Sequence, residues 1–544
     1  MKSKTITGGE ALALGAIASG VGCVASYPGS PGTATVAMIV EIIRLGKGTG
    51  CHVEWSANER VALEVAMGAS LAGRRSLVCT KSVGMNVLLD PLMALNLTPL
   101  SNGIVIVLGD DPGAYGSQND QDTRNIADLI ELPMLEPPTP IIGLEMICSA
   151  FDISEQFKMP VVIRITRSFD VSHEDFDHSD KIIDAWNVRK GNIERDKLRF
   201  VPYPKNAVSK HENLHQRLNG ILGWINRSHF DVLKEAQQKK SFSEFSRGVI
   251  CAGFCMSKFS DVICEEENLG ISVLTLAAIY PLPEDLICRF LNLNDEILIL
   301  EENEPYLELR IKAIAQTHQI KTLIRGKLTG DFNRWGELFR WQIKQKLSEF
   351  HPSLKLANHF SHVNQNAEYP FRESHCRSCP FDLVLDEIDG WLQEIKQDAW
   401  IVADPGCLAL HAHRLHAKYA LGSAISVADG LSIAGQRAIA LFGDSAFFHS
   451  ALPALCNAST KGTDLPCIII DNSGAVTTGG QPHPGLERSA VGMETKPLDV
   501  LSICISCGAS FAECVELKDM RKGLKQMVLG SGVRVLVVKV PCSH

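Results

Sequence analysis

The sequence predicts an α/β protein whose domains contain doubly wound, parallel sheets. Short, continuously apolar runs such as residues 438–442 and 467–470 alternate with segments of helical spacing, as expected of strands that are covered on both faces. These two runs lead into Gly-Asp and Asp-Asn, which is typical of the ligand-binding edge of such a sheet. With 544 residues, 45% of them hydrophobic, the chain is long enough for roughly three or four domains.

Composition and charge exclude several classes of protein. A net charge of −9, without long basic runs, argues against nucleic acid as a partner. No apolar stretch approaches the roughly 20 residues of a transmembrane helix, and residues 1–20 lack the features of a signal peptide. We therefore expect a cytoplasmic protein without a membrane partner. In a reducing compartment, seventeen cysteines predict buried thiols together with a metal or cluster site rather than disulfides.

Residues 1–180 form the first predicted α/β domain. Strands are expected at residues 24–27, 76–79, 104–108 and 160–165, with helical segments between them. The turn Pro28-Gly29-Ser30-Pro31-Gly32 ends the first strand because proline and glycine cannot continue it. A helix is expected to open at Glu59, where the helix dipole alone would favour a carboxylate.

Four further segments follow. Residues 181–245 are charged, helical in pattern and without an apolar strand, which predicts a connecting segment. Residues 246–330 alternate between apolar runs and helical stretches and predict a smaller α/β domain. Residues 331–370 show no clear period and predict a linker that crosses the surface. Residues 371–544 form the last α/β domain.

The last domain contains the stretch around which the chain is organised. One apolar run leads into Gly443-Asp444-Ser445, and the next ends in Asp471-Asn472-Ser473-Gly474. Residues 447–461 have helical spacing, so the two strands should be parallel neighbours whose tips meet at one edge. Oxygen ligands suit Mg²⁺, and a helix N-terminus favours an anion. The pattern suggests a diphosphate held by Mg²⁺, although an ordinary strand–helix–strand unit would read the same way.

The flanking residues carry a family resemblance. Gly443-Asp444-Ser445, Phe447-Phe448-His449-Ser450, Asp471-Asn472 and Thr478-Gly479-x-Gln481-Pro482-His483-Pro484-Gly485 resemble the thiamine diphosphate segment of the alpha subunit of indolepyruvate ferredoxin oxidoreductase. That family is part of the 2-oxoacid:ferredoxin oxidoreductases. The resemblance implies that residues 1–180 bind the pyrimidine end of the cofactor, that residues 371–544 bind its diphosphate end, and that residues 246–330 are a transketolase C-terminal-like domain.

The resemblance also implies individual roles. Mg²⁺ would be bound by Asp444, Asn472 and Gly474, and the cofactor would contact Gly443, Ser445 and Thr478. His449 and His483 would face its reacting end; the alternative for both is a structural histidine. Glu59 would contact the aminopyrimidine ring and promote removal of the thiazolium proton. Ser30, with Lys81 as a cationic partner, would meet the cofactor and the substrate carboxylate.

Four cysteines are a candidate cluster site. Cys376-x-x-Cys379, Gly406-Cys407 and Pro541-Cys542 allow a Cys₄ site, for which zinc is a rival to iron and sulfur. The family binds a 4Fe-4S cluster with cysteines at these positions, so the resemblance implies one 4Fe-4S cluster here. A competing pair, Cys504 and Cys507, lies in an apolar helical run and is expected to consist of core thiols.

The resemblance implies oxidative decarboxylation of a 2-oxoacid of the aryl-pyruvate type. Two alternatives stay open: a non-oxidative thiamine-dependent decarboxylase or carboligase, and a subunit without activity. The chain ends at His544, before the ferredoxin-like domain of the family, so we expect one cluster that passes electrons to ferredoxin or another acceptor. We also expect a homodimer or a heterotetramer with a smaller beta subunit. Ser82 stands where the family usually has histidine, which leaves the substrate undecided.

Overall fold

A computed structural model describes residues 5–196, 198–236, 245–263, 270–357 and 379–542. Its strands are β1 (Thr5–Thr7), β2 (Cys23–Ser26), β3 (His52–Trp55), β4 (Ser76–Lys81), β5 (Ile104–Asp110), β6 (Met134–Leu135), β7 (Val161–Thr166), β8 (His173–Asp175), β9 (Val232–Lys234), β10 (Arg247–Ala252), β11 (Ser272–Leu276), β12 (Ala278–Tyr280), β13 (Glu296–Leu300), β14 (Leu323–Arg325), β15 (Trp400–Ala403), β16 (Ala417–Lys418), β17 (Ala438–Gly443), β18 (Leu465–Asp471), β19 (Phe511–Glu516) and β20 (Val533–Lys539).

The α-helices are α1 (Gly8–Ala18), α2 (Thr33–Arg44), α3 (Glu59–Leu71), α4 (Ser82–Leu95), α5 (Arg124–Ile130), α6 (Pro140–Phe157), α7 (Arg167–Val171), α8 (Ser179–Asp184), α9 (Ala207–Ile225), α10 (Cys255–Val262), α11 (Glu284–Leu293), α12 (Tyr306–Thr317), α13 (Arg340–Phe350), α14 (Pro380–Glu394), α15 (Ser423–Ile433), α16 (Asp444–Ala446), α17 (Leu452–Thr460), α18 (Val500–Ser506) and α19 (Met520–Val528). A π-helical segment, Phe447–Ala451, joins α16 to α17, and 3₁₀ segments occur at Cys407–Arg414, Val476–Thr478 and Leu517–Asp519. No helix among the described residues is long and apolar enough to cross a membrane.

The chain forms two compact units. The first comprises Met1–Val53 and Glu59–Phe371, and the second comprises Glu54–Asn58 and Arg372–His544. The first unit contains a seven-stranded sheet of order β12-β6-β7-β5-β4-β2-β3. Its four expected strands are confirmed as the neighbouring parallel strands β2, β4, β5 and β7.

The first unit also contains a five-stranded sheet of order β14-β13-β10-β11-β9. Strand β9 lies in the segment predicted to have no strand, so the prediction for 181–245 is wrong at this point. The strand is short and mostly exposed, and its pairing with β11 is a long-range contact that the local sequence pattern does not reveal. The next strand after β11, β12, crosses to the seven-stranded sheet and pairs with β6.

The predicted surface linker at 331–370 is also wrong in its described part, which ends at residue 357. Helix α13 lies in this range, and its side chains Ile343, Leu347 and Phe350 are buried in a core cluster with Phe332 and with side chains of α10 and β10. The helical spacing of apolar residues extends over only three turns, within α13. The Trp, His and Asn residues on either side do not follow this spacing, so the segment as a whole showed no clear period.

A buried group of charged side chains connects the seven-stranded and five-stranded sheets of the first unit. Arg124 donates to Asp122 at 2.6 Å and to Glu301 at 2.8 Å, and Arg164 donates to Asp110 at 2.8 Å. Lys258 bonds both Glu302 at 2.7 Å and Glu337 at 2.8 Å. We call these residues the Arg124 network. Both arginines and the lysine are fully buried, so their charges are compensated inside the protein.

The second unit contains a six-stranded sheet of order β16-β15-β17-β18-β20-β19. All of its pairings are parallel. Separate clusters of buried apolar side chains cover its two faces, as the uninterrupted apolar runs predicted. The carboxyl ends of β15, β17 and β18 therefore lie side by side at one edge of the sheet.

Candidate functional site

Three strand tips supply acidic or amide side chains at the edge of the second unit's sheet. Asp404 follows β15, Asp444 follows β17, and Asn472 follows β18. Asp404 accepts hydrogen bonds from the amides of Gly422 at 2.7 Å and Ala424 at 2.8 Å, at the N-terminus of α15. Burial raises the pKa of Asp404 to about 7, although these amides oppose the shift.

The side chains of Asp444 and Asn472 and the backbone of Gly474 meet at this edge. The amide nitrogen of Asn472 donates hydrogen bonds to Oδ1 of Asp444 and to the backbone oxygen of Gly474, both at 3.1 Å. Carboxylate, amide and carbonyl oxygens are the ligands that Mg²⁺ prefers, and each of these three groups carries one. We call Asp444, Asn472 and Gly474 the oxygen cluster.

The backbone around the oxygen cluster orients its members. The amides of Ser445 and Gly474 donate to the two carboxylate oxygens of Asp444 at 2.7 and 3.2 Å. Ser473 has a φ of 63°, an unusual conformation for a residue other than glycine and one that is common at functional sites. A Cβ atom at Gly474 would approach the Gly480 and Gln481 backbones to 3.3–3.4 Å. The sharp turn after β18 therefore aims the Gly474 carbonyl at Asn472.

His483 contacts the oxygen cluster from a following loop. Its Nε2 lies 3.0 Å from Oδ2 of Asp444, and its ring stacks on Phe448. The amide of Gly485 donates to Nδ1 at 3.1 Å, which leaves the ring proton on Nε2 in the neutral tautomer. Nε2 is buried and has no aligned hydrogen-bond acceptor among the described residues. His449 is buried in the π-helical segment, where Nδ1 pairs with Ser450 Oγ at 2.8 Å. Its backbone oxygen accepts from Asn58 at 2.8 Å.

The loop after Gly474 connects the oxygen cluster with Cys407. Thr477 Oγ1 lies 3.2 Å from Cys407 Sγ. The neighbouring Thr478 hydroxyl contacts Gln481 Oε1 at 2.7 Å, and Gln481 donates back to the Thr478 carbonyl at 2.7 Å. These hydrogen bonds between Thr478 and Gln481 therefore stabilise the conformation of the loop.

The cluster cysteines are described in part. Cys379 is buried before α14, while Cys407 and Cys542 are partly exposed; Cys376 lies outside the described residues. A tetrahedral zinc site needs sulfur atoms about 3.8 Å apart. Within the described ranges, the sulfurs of Cys379, Cys407 and Cys542 do not form a group within 4.8 Å of one another. The competing Cys504 is fully buried in an apolar core cluster, which confirms its interpretation as a core thiol.

The predicted residues of the first unit lie near the ends of β2 and β4. Glu59 is 5% exposed at the first position of α3. A Cβ atom at Gly84 would collide with Oε1 of Glu59 and Oγ1 of Thr80, so only glycine lets α4 approach this carboxylate. Ser30 is exposed in the turn after β2. A Cβ at the adjacent Gly29 would lie 2.9 Å from the Lys81 side chain, so Lys81 covers the same turn.

Comparisons with known proteins match both units. The family described as pyruvate flavodoxin/ferredoxin oxidoreductase, thiamine diphosphate-binding, matches residues 14–178, and the C-terminal binding domain of thiamine pyrophosphate enzymes matches residues 406–540. Indolepyruvate oxidoreductase subunit IorA from Methanothermobacter marburgensis is 30% identical over 99% of this chain and 86% of its own length. The subunit IorA from Methanothermobacter thermautotrophicus is 31% identical over the same shares.

The chain belongs to the indolepyruvate oxidoreductase subunit IorA family. It is therefore a thiamine diphosphate-dependent enzyme of the 2-oxoacid oxidoreductase type. The subunit IorA from Archaeoglobus fulgidus is 29% identical, again over 99% of this chain and 86% of its own length. Ser30 and Glu59 fall within the first family match, and Asp444, Asn472 and His483 fall within the second.

The sequence reasoning overlooked two residues that the structure brings to these sites. Asp471 was treated only as the end of a strand, yet burial and the neighbouring Asp444 carboxylate raise its pKa. Gly84 was given no role, although the absence of a side chain there makes room for the Glu59 carboxylate. The signal for Gly84 was a glycine inside a helical pattern, which suggests a close approach. The predicted strand order put Asp471 near Asp444, but no local pattern indicated that the two carboxylates interact.

Proposed function

We propose that this chain oxidatively decarboxylates a 2-oxoacid of the aryl-pyruvate type, with thiamine diphosphate, Mg²⁺ and one 4Fe-4S cluster, and that it passes electrons to an external acceptor. The observation that carries the cofactor part is the convergence of the Asp444 carboxylate, the Asn472 amide and the Gly474 carbonyl at the ends of two neighbouring parallel strands. The names of the IorA relatives, which specify indolepyruvate, support the substrate class. These names also designate subunits, which supports a role for a second subunit.

Different residues of the chain would contact the metal, the diphosphate and the aminopyrimidine ring. Bound thiamine diphosphate supplies a carbon nucleophile and an acceptor for the negative charge that loss of CO₂ leaves. Asp444, Asn472 and the Gly474 carbonyl would hold Mg²⁺, while Gly443, Ser445 and Thr478 would lie along the diphosphate. Glu59 would hold a proton against the aminopyrimidine ring. The Glu59 side chain is 5% exposed, so this contact would lie away from bulk water.

His483 would orient Asp444 and hold a proton near the reacting end. The imidazole is already fixed by the Gly485 amide and by stacking on Phe448, so little rotational freedom is lost when the site fills. His449 and Ser30 would contribute further polar contacts, with Lys81 attracting the substrate carboxylate. A fixed imidazole next to a metal-binding carboxylate typically orients that ligand.

Cys376, Cys379, Cys407 and Cys542 would bind the cluster. The contact between Cys407 and Thr477 supports this assignment, because Thr477 belongs to the loop that follows the oxygen cluster. A cluster near the cofactor could accept electrons one at a time, whereas the oxidation that follows loss of CO₂ would release two. A separate acceptor or partner subunit would therefore be needed in each turnover.

An anaerobic assay tests the whole proposal. The purified chain, with and without a partner subunit, is offered a panel of 2-oxoacids, thiamine diphosphate, Mg²⁺ and an artificial electron acceptor. Substrate-dependent reduction of the acceptor, largest for aryl-pyruvates, is the expected result. Aldehyde or coupled product without reduction would instead identify a non-oxidative decarboxylase or carboligase. Turnover in neither form, with cofactor bound, would contradict the proposal.

Iron analysis tests the cluster separately. We expect about four irons per chain and a brown protein. Cys407→Ser should lower the iron content without weakening thiamine diphosphate binding. Cys504→Ser, in a buried thiol of the core, is the matched control and should keep the iron. Zinc in place of iron, or equal iron loss in both variants, would refute the assignment.

A further inference from the structure

Two histidines and a glutamate meet on the surface of the first unit. His211 and His215 lie on α9, and Glu131 follows α5. Nε2 of His211 is 2.5 Å from Oε2 of Glu131, and Nε2 of His215 is 2.7 Å from Oε1. All three potential ligand atoms lie within 4.8 Å of one another. We call these residues the Glu131 cluster; none of them belongs to the proposed thiamine diphosphate or 4Fe-4S sites.

The local structure presents the two imidazoles on one face. Residues four apart are neighbours on a helix, and the intervening sequence is His211-Glu212-Asn213-Leu214-His215. Leu214 is fully buried and fixes the rotation of α9 about its axis. Arg217 donates to the carbonyls of Lys158 and Asn96 at 2.8 and 2.9 Å. The backbone that carries both histidines is thus held against the rest of the unit.

Glu131 is held in an unusual backbone conformation. Its φ is 51°, at the position that ends α5, where glycine or asparagine is usual. The carboxylate directs one oxygen to each histidine. Such a pair of contacts also forms when protonated histidines bind a carboxylate, so hydrogen bonding is the alternative to a metal site.

Ligand chemistry favours a metal ion. Neutral imidazole nitrogen and carboxylate oxygen bind Zn²⁺ at about 2.0–2.2 Å, which puts ligand atoms of a tetrahedral site about 3.3 Å apart. The side chains need to move apart by less than about 1 Å to reach that spacing. Both histidines are more than half exposed, at 52% and 59%, so they can make this movement without disturbing the core.

We propose that Glu131, His211 and His215 bind one divalent transition-metal ion of the zinc class, with water at the remaining position. Two histidines four apart around a glutamate also occur in zinc hydrolases. Catalytic metals lie in shaped cavities that restrict water, whereas the two histidines and Glu212 are exposed. The assignment is therefore a metal site that ties the end of α5 to α9, rather than a hydrolytic centre.

Zinc titration of the full chain tests the proposal. Protein cleared of loosely bound metal is titrated anaerobically with Zn²⁺ by calorimetry, and His215→Ala and Glu131→Gln are titrated in parallel. Because the cysteines also bind zinc, the decisive quantity is the difference between variants. The wild type should bind one more equivalent than His215→Ala, or bind that equivalent more than about tenfold more tightly.

His229→Ala is the matched control. His229 is exposed and contacts a single carboxylate, Glu145, at 3.3 Å. It should keep the zinc equivalent, and zinc should raise the melting temperature of the wild type and of this control but not of His215→Ala. A Cu²⁺ spectrum with coupling to two imidazole nitrogens, reduced in His215→Ala, would identify the ligands. Identical zinc binding and melting shifts in the wild type and His215→Ala would overturn the proposal and leave only hydrogen bonds.

Discussion

The Arg124 network of the first unit and the oxygen cluster of the second both bury carboxylates, but they compensate them differently. In the network, Asp122 and Glu301 each bond Arg124. Burial disfavours the charged form of Asp122, yet the Arg124 guanidinium lowers its pKa to about 2. Within the described residues, Asp444 has no ion pair with arginine or lysine; it accepts hydrogen bonds from the backbone amides of Ser445 and Gly474 and from the Asn472 amide, and it contacts His483.

This difference separates a structural network from the proposed binding site. A buried charge costs several kcal/mol unless a partner compensates it. The Arg124 network supplies its own partners, so it needs no ligand and joins two sheets. Asp444 lacks an arginine or lysine partner among the described residues, so a bound cation would supply the opposite charge in the proposed site. Changes to the network should therefore affect folding, and changes to the cluster should affect cofactor binding.

Asp444→Ala should give the largest effect, loss of measurable Mg²⁺-dependent thiamine diphosphate binding, because it removes the anionic ligand from a hard cation. Calorimetry measures this affinity. Asp429→Ala is the matched control: Asp429 is buried in the same unit but pairs with Lys461 and with Thr463. It should lower stability and keep the cofactor. If Asp444→Ala bound thiamine diphosphate with unchanged affinity, the oxygen cluster would not be the site that binds the cofactor, and its contrast with the Arg124 network would fail.

Glu59→Gln tests whether a buried carboxylate of the first unit has a role in turnover rather than in the stability of the fold. The amide preserves shape but cannot hold the transferred proton, so turnover should fall by about two to four orders of magnitude. Folding and cofactor affinity should change little. Hydrogen–deuterium exchange at C2 of the bound cofactor is the direct measurement. Glu64→Gln, on the exposed side of the same helix, should behave like wild type.

Arg124→Met should lower the free energy of unfolding by about 3–5 kcal/mol, the cost of leaving a buried ion-pair partner unpaired. Urea denaturation measures this loss. The folded fraction should still bind thiamine diphosphate with nearly wild-type affinity. Arg60→Met removes an exposed ion pair to Glu64 and should lower stability much less than Arg124→Met, because solvent screens the pair. A similar small cost in Arg124→Met would show that the network does not support the fold.

Asp122→Asn should give the smallest effect, in the pH dependence of stability. The pKa of Asp122 is lowered from 3.8 to about 2, so the ionised carboxylate stabilises the fold above about pH 4, and this contribution is lost as pH falls toward 2. The stability difference between wild type and variant should be constant above pH 5 and shrink by about 1 kcal/mol between pH 5 and pH 3. A difference independent of pH would indicate an unshifted pKa.

The sequence determined the strands and the residues at their tips. Runs such as residues 438–442 and 467–470 became β17 and β18 with small changes at their ends. Such runs are local patterns, and a parallel neighbour follows from a strand–helix–strand connection. Asp444 and Asn472 could therefore be placed together before any coordinates were known. Glu59 was likewise predicted at the start of its helix, although its role came from the family resemblance.

The tertiary structure decided everything that depends on contacts distant in sequence. Strand β9 joined a sheet because of pairing across tens of residues, and α13 entered a core from a segment without an evident period. The Glu131 cluster joins His211 to a carboxylate 80 positions away, a meeting that no spacing in the sequence encodes. Whether a buried charge is compensated also depends on such contacts. That is why the sequence could place Asp444 at the end of a strand, but only packing showed that Arg124 bonds buried carboxylates while Asp444, among the described residues, has no arginine or lysine partner.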